Sequence, residues 1–505
     1  MKLSRVVRGS YLQGHFVKVS DPNGEVISRN PGNLEEPSVS YPYSFEHVQE
    51  AISAARSGFR SWKRIAPKER CAAILKYSQM MKQRQEEIAV SITFETGKPL
   101  WEAREEVNET LTLIEYYLSV GSQTTQQIEV AQATDQSHGV VRFLPRGVMA
   151  IVTSPYLPIR LSHAQMIPAL INGNCVVLMG APETPATVQL VAEMFHEAAL
   201  PSGVLNMVQG EAEVTRRLLS HAEIDGIFFS GSYDGTAKFQ KVLTDYWKVT
   251  VVEMRGKNGL VVWDDCDYQK ALHEALYSAF VTTGQRTVSC DRILIHTKIF
   301  DRFVHDFHEL AKKCKIGYGM TDGKDAPFMG PLLSEEALEQ YLRHQGIAVR
   351  EGCEEVMRGK SLERSPKGYY VSPSIHLVTK ADPKSVYQKT EIMGPNVGLY
   401  PVSDLDEAAE VLNQTQYGMV AAIYSGAREN YLRLIEDVSV GHLHWNRPTV
   451  EVSYRLPYGG IKKSGNSRPM GSYAANQLTF PVGSLEAPGS AEGYRLPAQV
   501  PRLGG

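Results

Sequence analysis

From residue 148 onward the chain alternates short apolar runs with helical segments, and this alternation constrains its fold more than any other feature. The strand candidates are 148–154, 175–179, 204–208, 224–229 and 249–253, with helices between them, one of them opening at Thr184-Pro185, a cap residue followed by proline at the first helical position. Such alternation reads as βαβ units feeding a parallel sheet with helices on both faces. After Glu253 the pattern restarts: strands at 260–263 and 292–296, helices near 268–283 and 299–314, and later strands at 397–402, 419–425 and 442–445. This predicts a second α/β domain.

A chain of 505 residues exceeds the roughly 250–300 at which single cores stop growing, so at least two packed domains are expected. Upstream, Ile52, Ala55, Phe59 and Trp62 recur at helical spacing over 49–65, and a second helical run follows Pro67 through Ile74, Met81 and Ile88. Residues 121–144 are polar and β-prone, and 477–482 is another isolated strand candidate. Two extended segments outside the main sheets suit an arm pairing with a neighbouring subunit, or a solvent-facing hairpin. The stretch after Glu486, rich in Gly, Pro and Ala, is expected to be poorly ordered.

With 22% charged residues and a net charge of −3, the chain has no basic field for nucleic acid or an anionic membrane. No stretch approaches the roughly 20 apolar residues of a membrane span, and the basic N-terminus has no apolar run behind it, so a cytoplasmic protein is expected. Six scattered cysteines, without a CxxC pair or clustered histidines, argue against a disulfide framework and a zinc site.

Five motifs in order go further. Glu95-Thr96-Gly97-Lys98-Pro99-Leu100-Trp101-Glu102-Ala103-Arg104 resembles the first-helix signature of the aldehyde dehydrogenases, and Phe229-Ser230-Gly231-Ser232 resembles their FTGS turn. Glu253-Met254-Arg255-Gly256-Lys257-Asn258 resembles their E-L/M-G-G-K/N-x segment, Gly284-Gln285-Arg286 their GQx before the nucleophile, and Glu391-Ile392-Met393-Gly394-Pro395 their EIFGP. The resemblance runs from about residue 15 to 486. Gly284-Gln285-Arg286, Gly368-Tyr369-Tyr370-Val371-Ser372-Pro373 and Gly465-Asn466-Ser467-Arg468-Pro469 look most like the succinylglutamate-semialdehyde branch. The resemblance implies NAD(P)-dependent oxidation of an aldehyde to an acid. It also implies a Rossmann-like cofactor domain (1–120 and 145–254), an α/β catalytic domain (255–440), an oligomerisation arm with its returning segment (121–144 and 441–486) and a tail (487–505), assembled as a homodimer or homotetramer.

Carried over residue by residue, the resemblance exposes departures. The family's nucleophilic cysteine falls at Thr287, bracketed by Gly284 and Arg292, and a threonine hydroxyl without a strong adjacent base is a poor nucleophile. Cys290, three residues on, is either a small buried residue or, through a bulged loop, a substitute thiol. Glu253, 34 residues before Thr287, falls at the general-base position. The family's oxyanion asparagine is missing from Ser154-Pro155-Tyr156-Leu157-Pro158, which is one residue shorter. A lysine expected to reach the adenosine ribose is replaced at Met179, leaving Glu183 either to accept from a ribose hydroxyl or to begin a helix. Ser230, Gly231, Ser232 and Gly235 form a shortened turn, suited to a pyrophosphate or to nothing more than a strand-to-helix turn. Glu391 matches the nicotinamide-ribose carboxylate, with Met393 in place of the usual phenylalanine. Arg160, Arg255, Arg286 and Arg447 are candidates to meet a dicarboxylate substrate, or exposed arginines facing water.

These readings leave three functions: a catalytically degenerate relative with weakened or lost NAD or NADP binding; an oxidoreductase or esterase of altered mechanism using Cys290 or Thr287; or a non-catalytic scaffold pairing with an active homologue.

Overall fold

The computed structural model describes residues 6–120, 126–134, 137–243, 247–453, 455–487 and 499–501. The first helix, Phe45–Trp62, starts where Ser44 accepts from the Glu46 N–H, and it buries Ile52, Ala55 and Trp62 as the spacing predicts. The second run is not one helix. It divides into Pro67–Gln83 and Gln85–Thr96 at Arg84 (φ −106°, ψ 17°). The Arg84 guanidinium there meets Glu87, Glu193 and Glu197. Apolar periodicity misses such a break because Ile74, Met81 and Ile88 stay buried on either side of it.

The first large sheet has seven strands. Val249–Glu253, Gly226–Ser230, Val148–Val152, Cys175–Met179 and Leu205–Val208 run parallel in that order. Ser10–Leu12 and His15–Val17 extend the far edge antiparallel. The second sheet runs Glu354–Met357, Ser374–Leu377, Asn396–Val402, Cys290–His296, Asn258–Val262, Val420–Tyr424 and His442–Trp445, parallel except at its first strand. Most expected strands are therefore present, with ends shifted by one or two residues. The mixed α/β architecture matches the fold class read from the sequence.

The two extended segments also meet. Thr479–Glu486 pairs antiparallel with Ser137–Pro145, which pairs in turn with Ile128–Thr134, giving a three-stranded sheet apart from the other two. Every described residue of Ile128–Thr134 is exposed. Apart from Ala487 and 499–501, the tail lies outside the described residues.

The helix expected to open at Thr184 is Pro185–Glu197, but Thr184 makes no side-chain cap bond. Glu95, from the helix Gln85–Thr96, caps it instead, accepting from the Ala186 N–H at 2.9 Å and the Thr187 N–H at 2.8 Å. A carboxylate supplied from 91 residues away leaves no local signature in the sequence.

Candidate active site

The chain leaves the helix Tyr268–Phe280 through a 3-10 turn, Val281–Gly284, in which Thr282 (φ 55°), Thr283 (φ 54°) and Gly284 (φ 68°) are all left-handed. Two consecutive threonines in that region are strained and persist only where their surroundings over-determine them. The surroundings do so. The Thr282 hydroxyl donates to Glu102 and accepts from Arg286 Nε at 2.7 Å, while Arg286 Nη2 pairs with Glu102 at 3.1 Å. Thr283 donates to the Gly330 carbonyl at 3.0 Å, and Gln285 Oε1 accepts from the Leu333 N–H at 3.0 Å. A Cβ at Gly284 would lie 2.2 Å from the Gly394 carbonyl oxygen, so no larger residue fits there.

Beyond the turn, Asn258 Nδ2 donates to the carbonyls of Thr287 (3.0 Å) and Ser289 (2.8 Å), and the Gly256 N–H also donates to the Thr287 carbonyl. Thr287 is half-buried between buried neighbours. Its hydroxyl lies 3.4 Å from the phenol of Tyr458. Cys290 opens the strand Cys290–His296 and is 1% exposed in the apolar cluster with Leu260, Phe280 and Phe303. Its thiol donates to the Arg292 carbonyl at 3.3 Å, and burial pushes its pKa well above that of an ordinary thiol. The sulfur therefore belongs to the core of the second sheet.

Glu253 ends its strand beside Ser230 and is 3% exposed. Burial pushes its carboxyl up to about 7, against smaller opposing effects from Tyr458 and the positive charge of Arg160. Among the described residues neither oxygen has a hydrogen-bond partner. The Ser230 and Thr153 hydroxyls and Gln165 Oε1 are likewise buried without a partner, and with Glu253 they line one small cavity. Sequence reasoning did not single out Tyr458. It sits in Leu456-Pro457-Tyr458-Gly459-Gly460, and an aromatic residue inside a Pro/Gly turn was the only available signal. Its ring faces His442 at 4.9 Å and, with Val288, His444 and Arg447, helps to line a cavity of ≈250 Å³.

The shortened segment 154–158 is fixed by the first-helix motif. Lys98 Nζ is buried against Glu106 (2.8 Å) and donates to the Tyr156 carbonyl (2.7 Å). Glu106 also accepts from the N–H groups of Ile159 and Arg160, at the start of the helix Arg160–Ile171. Leu157 is buried in the apolar core. The four arginines considered for a dicarboxylate each meet a carboxylate of the chain: Arg160 with Glu109 (2.6 Å), Arg255 with Asp291 (3.1 Å), Arg286 with Glu102, and Arg447 with Glu451. Arg160, Arg255 and Arg286 are buried in these pairs, whereas Arg447 is exposed and faces water.

Among the cofactor candidates, Ser232 accepts from the Gly235 N–H at 3.2 Å and so caps the helix Tyr233–Leu243. Lys463 lies over the Tyr233 ring at 4.2 Å, so a cation stands beside the start of this helix. Met179 is 1% exposed and its sulfur accepts from the Thr215 hydroxyl at 3.5 Å, which turns it inward. The Tyr156 hydroxyl, raised by burial, also feels the charges of Glu183, Glu391 and Glu336, offset by Arg255. Burial and Glu336 likewise raise the Glu183 carboxyl.

The family model for the aldehyde dehydrogenase family matches residues 19–481. This chain belongs to the aldehyde dehydrogenase family. It is 33% identical over 475 residues to an N-succinylglutamate 5-semialdehyde dehydrogenase of Paraburkholderia xenovorans, covering 94% of this chain and 95% of the relative. It is also 33% identical over 500 residues to the Chromobacterium violaceum protein of the same name, covering 98% of each. Among solved structures, the NAD-dependent aldehyde dehydrogenase from Sinorhizobium meliloti superimposes with a TM-score of 0.92 at 25% identity, over 99% of this chain and 97% of that one. An NADP-dependent enzyme of E. coli gives 0.90 at 26% identity, over 96% and 100%. The likeness to the aldehyde dehydrogenase fold spans nearly the whole chain.

Proposed function

We propose that this chain keeps the aldehyde dehydrogenase frame without the family's dinucleotide-dependent oxidation of aldehydes, as a degenerate relative of the succinylglutamate-semialdehyde branch. The observation that carries the reading is at position 287, where the reaction needs a thiolate and a threonine hydroxyl meets a phenol at 3.4 Å. Neither hydroxyl loses its proton near neutral pH, and burial raises the Tyr458 pKa further. Cys290 offers no substitute, because its sulfur faces the core. The relatives' names point to a substrate bearing carboxylates, and the nearby arginines are already paired with Glu102, Glu109, Asp291 and Glu451. The test is turnover of a semialdehyde panel with NAD and with NADP. No reduced dinucleotide above the uncatalysed rate is expected, and turnover abolished by Thr287→Ala would overturn the reading.

A second reading, that the protein acts through association, draws on the arm. Ile128, Val130, Leu144, Phe480 and Leu485 are exposed apolar residues on its three strands, and a strand edge with apolar side chains is a template for pairing. Within this reading the cytoplasmic chain forms homodimers or homotetramers through the arm, or pairs with an active homologue. Sedimentation of the purified chain, repeated with Val130→Lys and Leu485→Lys, tests it; a monomer in both cases contradicts it.

A further inference from the structure

We infer that Arg255 closes the nicotinamide end of the cleft, so that the chain's own guanidinium stands where a dinucleotide would place its second ribose. Arg255 occupies a position at which the family's E-L/M-G-G-K/N-x segment has glycine, and it projects from the end of the strand that carries Glu253. It is 3% exposed. Its three nitrogens spread across the gap to the loop that holds Glu391: Nη2 lies 3.1 Å from Asp291, Nη1 lies 2.8 Å from the Met393 sulfur, and Nε lies 4.0 Å from Glu391.

The donor set in this gap does not suit a ribose. A carboxylate that binds vicinal hydroxyls must be reachable from the cleft, whereas Glu391 is approached from the cleft side by a buried cation held in place by Asp291. Asp291 has further anchors in Lys257 at 3.7 Å and the Asn258 N–H at 3.2 Å, so it is fixed on the second sheet and holds the guanidinium there. Displacing Arg255 would break its buried pair with Asp291. Glycine at 255 would leave the same gap open. The phosphate end, with the start of the helix Tyr233–Leu243 and Lys463, is unaffected by Arg255. The block is therefore local to the nicotinamide half.

Calorimetric titration with NAD and with AMP tests the inference in four proteins: the parent, Met179→Lys, Arg255→Gly and the double variant. NAD should bind the double variant at least about tenfold more tightly than Met179→Lys alone, while AMP affinity changes less than about twofold between those two. NAD affinity that is the same with and without Arg255, or an equal gain for AMP and NAD, would overturn it. Should Arg255→Gly lose its native circular dichroism, Arg255→Lys takes its place. It keeps a cation for Asp291 while withdrawing the fork from Met393, and a smaller gain confined to NAD is expected.

Discussion

The loop that carries Thr287 leads into the strand Cys290–His296 of the second sheet, whereas Met179 and Arg255 stand at or just beyond the ends of first-sheet strands, and the two regions hold their side chains differently. Around the loop, the strained backbone is held by buried side chains. Left-handed Thr282 and Thr283 are held by Glu102, Arg286 and the Gly330 carbonyl, and Asn258 fixes the carbonyls that follow. At the first sheet's strand ends, Met179 faces Thr215, and Arg255 faces Asp291 and Met393. Supports that pair buried groups far apart in the chain are costly to lose, because a buried charge or donor left alone destabilises the whole fold. Groups that only meet a ligand carry no such cost.

Three substitutions probe that difference. Arg286→Met should destabilise the protein by about 3–5 kcal/mol in chemical unfolding, because it leaves Glu102 buried without its cation. A loss below about 1 kcal/mol would mean that the loop's supports are as dispensable as the cleft residues.

Glu253→Gln should act in the opposite direction and depend on pH. The folded carboxyl is raised from 4.5 to about 7, so the stability that goes with its protonated form is complete below about pH 4.5 and is lost as pH rises through 7. The glutamine variant should therefore match its parent near pH 4.5 and exceed it by up to about 3 kcal/mol at pH 8. A pH-independent difference would show that Glu253 is not the strained group at this site. Thr184→Ala should change stability by less than about 0.5 kcal/mol, against the roughly 1 kcal/mol typical of a lost cap, since Glu95 does the capping.

The frame was legible in the sequence because its signals are local. The alternating apolar runs correspond to the strands of both large sheets, and the five ordered motifs belong to the family whose model matches 19–481. The missing pieces act over long sequence distances. Glu95 capping Ala186, Lys98 holding Tyr156 and Tyr458 reaching Thr287 join residues separated by 91, 58 and 171 positions, which periodicity does not register. The arginines show the same limit from the other side. In the sequence they are candidates for a dicarboxylate or for facing water, and the partners of Arg160, Arg255 and Arg286, at 109, 291 and 102, lie 36 to 184 positions away, whereas Glu451 is only four residues from Arg447.

The most direct test of a retained loop beside a closed cleft is Thr287→Cys alone, given p-nitrophenyl acetate without dinucleotide and, separately, a semialdehyde with NAD. If the loop is intact and the cleft closed, the new thiol is acylated by the ester, seen as a mass adduct on residue 287, and no NAD is reduced. Reduction of NAD by this single variant, or a cysteine at 287 that the ester fails to acylate, would contradict the account.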